Sequence, residues 1–255
     1  MSKHIWEIEF TLFDTETTGL DARSGDRIVE IAGLRFKNGG RIAVFEELVN
    51  PGRPISEAAF QVNKITPEML RSAPRIEEVL PRFLDFIRGS CLSSYNAGFD
   101  LGFLNHELRA AGQAPLEDEV VVDDLKMARR LLPVLERYAL WFVAQHMGLK
   151  TQQSHRALAD VQLTWEVFNR LTIILEKKGL LDFAHFSQLF SINPGYLENL
   201  TAQKRVQIQE AMALGVRLKI KYLSTSGLEV TERQVIPREI KQEAGGSYLI
   251  GFCCL

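Results

Sequence analysis

Short runs of alternating hydrophobic and polar residues dominate the first half of the chain and predict β-strands. Residues 7–14 alternate and then become apolar, as a strand does when it enters a core. RIVEIAGLRF and RIAVFEELV flank Asn38-Gly39-Gly40, an arrangement that predicts a β-hairpin. The shorter runs CLSSYN and EVVVD predict two more strands. The pattern therefore predicts a five-stranded sheet.

Helical periods separate and follow these strands. Thr66 is placed to cap a helix with Pro67 at its first position. Longer helices are predicted over IEEVLPRFLDFIRG, FDLGFLNHELRAAG, DLKMARRLL, YALWFVAQHMGL and HRALADVQLTWEVFNRLTIILEKKG. Because the strands begin as a meander and then alternate with helices, we expect an α/β fold whose mixed sheet has helices on both faces.

The last third of the chain has a different pattern of hydrophobic and polar residues. Residues 180–204 carry no strong period, RVQIQEAMALG predicts one helix, and three β-rich runs follow, separated by Ser226-Gly227 and Gly245-Gly246. We therefore predict three segments: a first domain over 1–176, a linker over 177–205 and a small β-rich module over 206–255.

Composition narrows the class of protein. Of 255 residues, 46% are hydrophobic and 24% are charged, which is typical of a soluble globular protein. The formal net charge of −2 gives no overall basic field, so any nucleic-acid binding depends on local cations or bound metal. Neither a signal peptide nor a run long enough to span a membrane is recognisable, and the three cysteines form no disulfide framework. We expect a cytoplasmic protein without a membrane partner.

The stretch FDTETTGL concentrates acidic residues at a strand. Asp14 and Glu16 are two residues apart, so they point to the same side of a strand, and Gly19 allows close backbone approach to a ligand. An isolated Asp-x-Glu pair is usually a solvated strand end, so this stretch needs support from elsewhere in the chain.

Two further stretches supply that support. YNAGFD places Asp100 at the start of a helix, and SHRALAD places His155 five residues before Asp160. Five helical residues are a rotation of about 500°, so His155 and Asp160 cannot share a helix face. We expect His155 on the preceding loop, with Asp160 pointing inward from the helix.

Four carboxylates on three or more elements suit two hard divalent cations, Mg²⁺ or Mn²⁺, rather than zinc. Two such ions would stabilise the attacking and leaving oxygens of a phosphodiester cleavage. A histidine is a suitable general base for the attacking water.

These three stretches, in this order and spacing, resemble the motifs of the DEDDh 3′→5′ exonucleases, the family of the DNA polymerase III epsilon subunit and its DnaQ-like relatives. The resemblance covers residues 7–176 and implies an RNase H-like fold. It implies the catalytic and metal-binding set Asp14, Glu16, Asp100 and Asp160, with His155 as general base. It implies a pocket for the terminal nucleotide formed by Thr15, Thr17, Thr18, Gly19, Leu20, Asn63, Asn96 and Phe99. Asp123 matches a family acid that is more structural than catalytic.

One position departs from the family pattern. Asn63 and Lys64 stand where these exonucleases often have a histidine and a glycine. Asn63 can still hydrogen-bond a base or a sugar.

The C-terminal segment resembles a WYL domain, a small SH3-like β-barrel. The resemblance rests on Ile220-Lys221-Tyr222, RQVIP and YLIGFC, with Ser247 at the family's tryptophan position. The chain stops before the family's later strands, which implies an incomplete barrel. Either the protein was shortened, or the module is completed by another strand, such as one from a second copy in a homodimer. Residues 201–255 contain eight basic and five acidic residues, which modestly favours an accessory nucleic-acid contact.

The sequence as a whole predicts a 3′→5′ exonuclease that acts on DNA 3′ ends, with RNA as the alternative substrate. A second alternative is a non-catalytic nucleic-acid-binding regulator whose WYL module senses a ligand, which the intact set of five catalytic residues argues against. The family resemblance also implies a DNA polymerase as partner. The fragment Gln188-Leu189-Phe190 partly resembles a sliding-clamp-binding peptide.

Overall fold

The computed structural model describes residues 3–150, 155–223, 230–243 and 246–254. Its larger sheet contains β1 Glu9–Thr17, β2 Ile28–Lys37, β3 Gly40–Leu48, β4 Cys91–Ser94 and β5 Val121–Asp123. The strand order is β3-β2-β1-β4-β5. β1, β2 and β3 are antiparallel, whereas β4 and β5 run parallel to β1. The predicted mixed five-stranded sheet is confirmed.

The hairpin between β2 and β3 forms where the sequence predicts it. Asn38 and Gly39 have φ angles of 50° and 71° and connect Lys37 to its cross-strand partner Gly40. A two-residue turn with two positive φ angles matches the twist of the flanking strands, which is why Asn-Gly is favoured there.

β1 extends three residues further than the predicted strand. It continues to Thr17 because it pairs with β2 along that whole length, with Asp14 opposite Ala32 and Glu16 opposite Glu30. Both acidic residues therefore lie inside a paired strand, which fixes their direction more firmly than a strand end would.

Helices cover both faces of this sheet. Their bounds are α1 Glu57–Asn63, α2 Pro67–Arg71, α3 Ile76–Ile87, α4 Ala97–Ala110, α5 Asp124–Leu131, α6 Leu140–His146, α7 Ala157–Lys177, α8 Phe183–Phe190 and α9 Pro194–Leu214. Thr66 caps α2 with Pro67 at its first position, as predicted.

Phenylalanine side chains fill the core on each face of β1. On one face, the Phe168 ring of α7 lies 5.1 Å from Phe10 and 5.2 Å from Phe36, measured between ring centroids. On the other face, Phe13 packs against Phe83 of α3. β1 is thus buried on both sides along its middle, and Asp14 and Glu16 emerge towards its C-terminal end.

The segment predicted as a linker, 177–205, differs from that prediction because it contains α8 and the first half of α9. Phe186 and Phe190 of α8 are buried in the same core as Phe10. Burial of aromatic side chains, rather than a helical period, stabilises this segment. The division into domains at 176 and 206 stays a prediction.

The same burial corrects the suggestion of a clamp-binding peptide. Phe190 is 0% exposed, so Gln188-Leu189-Phe190 cannot present its aromatic side chain to a partner. A docking peptide of this type needs that side chain on the surface, whereas the Phe190 side chain of α8 is buried in the core.

The C-terminal module contains a three-stranded antiparallel sheet, formed by β6 Leu218–Leu223, β7 Val230–Glu243 and β8 Gly246–Cys253 in that order. The predicted turn at Ser226-Gly227 lies outside the described residues, as does Gly245. Tyr248, Ile250 and Phe252 of β8 are exposed at every second position. Among the described residues, no helix is long and apolar enough to cross a membrane.

Candidate metal centre and nucleotide cavity

Three carboxylates from two elements converge at the C-terminal end of β1. Asp14 and Glu16 come from β1, and Asp160 comes from the first turn of α7. One oxygen atom from each lies within 4.8 Å of the others, and all three side chains are half-buried. The strand alternation and the inward direction of Asp160 are both as predicted.

Crowding and burial disfavour the charged forms of these groups. Burial raises the pKa of Asp14 well above its ordinary range, with further increases from Asp100 and Glu16. Burial, Asp160 and Glu30 raise the pKa of Glu16 from 4.5 to about 8. The pKa of Asp160 is also raised by burial, against a smaller opposing effect of His155.

A hard divalent cation fits this donor set. Three crowded carboxylate oxygens are the ligands that Mg²⁺ and Mn²⁺ prefer, and a cation would relieve their mutual repulsion. The cluster itself includes no cysteine or second type of ligand that would favour zinc.

Binding of Mn²⁺ to the wild-type chain is expected to tighten as the pH rises from 6 to 8.5 and to release protons. The metal needs deprotonated carboxylates, and the raised pKa of Glu16 means that protons must leave first. Calorimetry in two buffers of different ionisation enthalpy measures the proton count. Glu16→Gln should reduce that count, and an affinity independent of pH would contradict the prediction.

Glu16→Gln is also expected to stabilise the metal-free protein at pH 8. Because the pKa of Glu16 in the folded state is about 8, above its ordinary 4.5, the folded state binds more protons than the unfolded chain in that window, and stability falls as the pH rises. The thermal midpoint of the variant in EDTA should exceed that of wild type by several degrees at pH 8 and by much less at pH 5. An equal difference at both pH values would point to another cause.

Asp100 lies next to the cluster but outside the group of three. The backbone N–H and hydroxyl of Thr15 donate to its Oδ1 at 2.9 and 2.8 Å, and the Ser94 hydroxyl donates to its Oδ2 at 2.6 Å. Burial raises the pKa of Asp100, and these hydrogen bonds oppose the rise. The Thr15 side chain therefore holds a carboxylate, a role that the sequence does not reveal.

His155 lies on the loop before α7, as predicted. Its φ angle is 47°, and the helix begins two residues later at Ala157. His155 lies close enough to Asp160 to oppose the rise in the pKa of that carboxyl.

An ion pair between Glu30 and Arg156 supports this loop. The Arg156 Nε donates to both Glu30 oxygens at 3.1 Å, its Nη2 donates to Oε1 at 2.5 Å, and the Ala157 N–H donates to Oε2 at 2.9 Å. Glu30 is 0% exposed and lies opposite Glu16 in the sheet. Sequence reasoning missed this pair, although an acid inside the apolar run IVEIAGL was a usable signal.

A cavity of about 640 Å³ adjoins the carboxylates, and we call it the nucleotide cavity. The residues of the predicted pocket that line it are Thr15, Thr17, Gly19, Leu20, Asn63 and Phe99, together with Glu16. Further lining residues, missed by the sequence analysis, come from the loop before β2 and from α1, among them Asp26, Ser56, Ala59 and Val62.

Two predicted pocket residues are not among the lining residues. Thr18 is 0% exposed, and its hydroxyl donates to Asp26 at 2.9 Å. Asn96 is exposed at the start of α4, where its N–H donates to Asp123, the acid that caps α5.

Two lining residues also have structural roles. The position of a Gly19 Cβ would lie 2.2 Å from Asp26, so the loop itself requires glycine here. Asn63 is 2% exposed, its Oδ1 accepts from the Ile65 N–H at 3.1 Å, and its amide contacts the Thr17 carbonyl at 3.4 Å.

Comparison with known protein families identifies the domain that holds this site. Residues 11–168 match the family model described as Exonuclease. The chain belongs to the exonuclease family. Residues 205–255 match the WYL domain model, in agreement with the resemblance seen in the sequence.

Relatives within the exonuclease family include components of DNA polymerases. A DNA polymerase III subunit epsilon-like protein of Rhodobacter capsulatus is 40% identical over 181 residues, which are 69% of this chain and 25% of that protein. A PolC-type DNA polymerase III of Caldanaerobacter subterraneus is 32% identical over 254 residues, 97% of this chain and 18% of the relative. The chain thus spans only a fifth to a quarter of the length of these relatives.

Solved exonuclease structures share the fold. Exonuclease X, in complex with 5′ overhanging duplex DNA, is 28% identical, with a TM-score of 0.52 over 68% of this chain and 95% of that one. Exonuclease I has a TM-score of 0.63 over 90% of this chain and 52% of its own, at 16% identity. The exonuclease domain therefore has the RNase H-like fold that the sequence motifs imply.

Proposed function

We propose that this protein is a divalent-metal-dependent 3′→5′ exonuclease that hydrolyses phosphodiester bonds at DNA 3′ ends. The observation that carries the proposal is the position of the three-carboxylate cluster at the wall of the nucleotide cavity, through Glu16. A terminal nucleotide in that cavity brings its phosphate to the carboxylates. Membership of the exonuclease family supports the same chemistry.

Asp14, Glu16 and Asp160 would hold one Mg²⁺ or Mn²⁺ ion, and Asp14 with Asp100 would hold a second. When bound, the two ions supply an activated water and stabilise negative charge on the phosphate. The hydrogen bonds from Thr15 and Ser94 fix the direction of Asp100 before any ligand arrives.

His155 accepts the proton of the attacking water in this proposal. It lies outside α7, on the side of Asp160, and so reaches the substrate without occupying a metal position. The exposed Leu20 and the half-buried Phe99 offer apolar surface to the terminal base.

DNA is the proposed substrate because the chain is similar in sequence to a protein named for the epsilon subunit of DNA polymerase III, and similar in fold to exonuclease X in complex with duplex DNA. Association with a DNA polymerase is proposed on the same ground. An exoribonuclease and a non-catalytic regulator remain the alternatives. The homodimer through the C-terminal module and the cytoplasmic location stay predictions.

The test follows three 5′-labelled substrates of matching sequence: single-stranded DNA, a duplex with a mismatched 3′ end and RNA, each with Mn²⁺ or Mg²⁺ and with EDTA as control. We expect a 3′→5′ ladder that requires metal and is fastest on DNA. A faster ladder on RNA would favour the ribonuclease. Binding without any cleavage would favour the regulator.

A further inference from the structure

A second cavity adjoins the nucleotide cavity, and we call it the side cavity. Its volume is about 450 Å³, and it shares Leu20, Asp21 and Phe99 with the nucleotide cavity. No carboxylate of the metal cluster is among its described lining residues. The two cavities are therefore adjacent and share these lining residues, and the carboxylate cluster adjoins the nucleotide cavity but not the side cavity.

Several hydrogen-bond donors that line the side cavity have no hydrogen-bond acceptor among the described residues. Asn105 is 8% exposed, and its Oδ1 accepts from the Leu116 N–H at 2.7 Å, but its amide nitrogen has no acceptor among the described residues. His106 and the guanidinium of Arg23 donate no hydrogen bond to any residue that the structure describes. Donors that open into a cavity are available to an acceptor from outside the protein.

The charge of the lining favours an anion. Arg109 adds a second guanidinium, and its ion pair with Glu117 is more than half exposed on both sides, so it can exchange for a phosphate at little cost. Asp21 is the one acidic residue among the described lining residues. Guanidinium groups bind phosphate oxygens with good geometry.

The floor of the side cavity lets a polymer backbone come close. Gly98 and Gly102 of α4 lie one turn apart, and a Cβ added at either position would meet no atom within 4 Å. Packing within the described protein therefore does not require glycine at these two positions, and glycine leaves the helix surface open.

We propose that the side cavity binds phosphates of the strand that is paired with the strand being cut. This inference rests on the proposed exonuclease function. The cut strand must pass its scissile phosphate over Asp14, Glu16 and Asp160, and the side cavity lies beyond Leu20 and Phe99, away from those groups. A phosphodiester strand on that side belongs to the partner strand of a duplex.

The test compares wild type with the double variant Arg23→Gln/His106→Gln on three substrates: a duplex with a recessed 3′ end, the same cut strand without its partner, and the p-nitrophenyl ester of thymidine 5′-monophosphate. The ester fills only the nucleotide cavity. Gly102→Leu blocks the floor by bulk instead of charge. Arg71→Gln/Arg88→Gln is the matched control, because both arginines are exposed and neither lines the nucleotide cavity or the side cavity.

Both test variants should lower kcat/KM on the duplex by roughly tenfold, through a higher KM. In the double variant, the slope of log(kcat/KM) against the logarithm of the salt concentration should become shallower by about 1 for each phosphate interaction that is lost. Rates on the single strand and the ester should stay near wild type, as should all rates of the control. Equal losses on duplex and single strand, or no loss on either, would overturn the proposal. A wild-type protein inactive on the ester and on both DNAs would instead overturn the exonuclease function itself.

Discussion

Asp14→Asn is expected to lower the rate of 3′-end hydrolysis by about 10³-fold or more. Asp14 is the carboxylate that the other acidic residues of the site surround, and it would contact both metal ions. Loss of its charge removes several kcal/mol of stabilisation from the charged transition state, and each 1.4 kcal/mol is about tenfold in rate. Single-turnover cleavage of labelled DNA in saturating Mn²⁺ measures the effect.

The fold of the variant should be intact, because neutralising a crowded carboxylate relieves repulsion. Its thermal midpoint in EDTA should equal or exceed that of wild type, which separates loss of chemistry from loss of structure. Asp85→Asn is the matched control, since Asp85 is exposed on α3 and its ion pair with Arg88 lies at the surface. Activity of Asp14→Asn within tenfold of wild type would exclude Asp14 as a metal ligand.

Glu30→Ala is expected to cost about 3 kcal/mol of stability and most of the activity. The change removes the acceptor of three Arg156 hydrogen bonds and of the Ala157 N–H, next to the loop that carries His155. Breaking a buried ion pair leaves an uncompensated charge, at a typical cost of about 3–5 kcal/mol. The cost is at the low end here because the Arg156 side chain is 36% exposed, so water can solvate its unpaired charge. Urea unfolding and kcat at low temperature measure the two effects.

A second buried ion pair provides the control for stability alone. Glu107 is 1% exposed and accepts from Arg27 at 2.8 and 2.6 Å, yet neither residue lines the nucleotide cavity or belongs to the carboxylate cluster. Glu107→Ala should lose similar stability and retain kcat where the protein is folded. If Glu30→Ala also retained kcat under those conditions, the Glu30–Arg156 pair would have no role in positioning the site.

Local patterns were sufficient to predict the elements of the exonuclease domain and the direction of its acidic residues. Period-two alternation places Asp14 and Glu16 on one side of β1. Because two residues five apart cannot share a helix face, His155 was predicted on the loop before the helix that carries Asp160, where it lies. These features depend on residues close in sequence, where the geometry of one element decides the outcome.

The features that the sequence did not reveal depend on distant partners. Glu30 and Arg156 are joined only when α7 packs on β2, and no local pattern pairs them. The burial of Phe190 follows in the same way from the packing of α8 against the core, so a helix replaced part of the predicted linker. Thr18 turned inward because Asp26 offers its hydroxyl an acceptor.

The order of the elements has a consequence for the time at which the protein acquires its chemistry. The sheet is complete in sequence at Asp123, whereas Asp160, His155 and the arginine that neutralises Glu30 all belong to α7 or the loop before it. At a synthesis rate of roughly 5–20 residues per second, the ribosome needs some seconds between the two. During that interval the emerging chain lacks Asp160 of the metal site and the core contacts that Phe168 of α7 makes with Phe10 and Phe36. With the proposed function, a nascent or prematurely terminated chain that lacks α7 is therefore expected to leave DNA uncut.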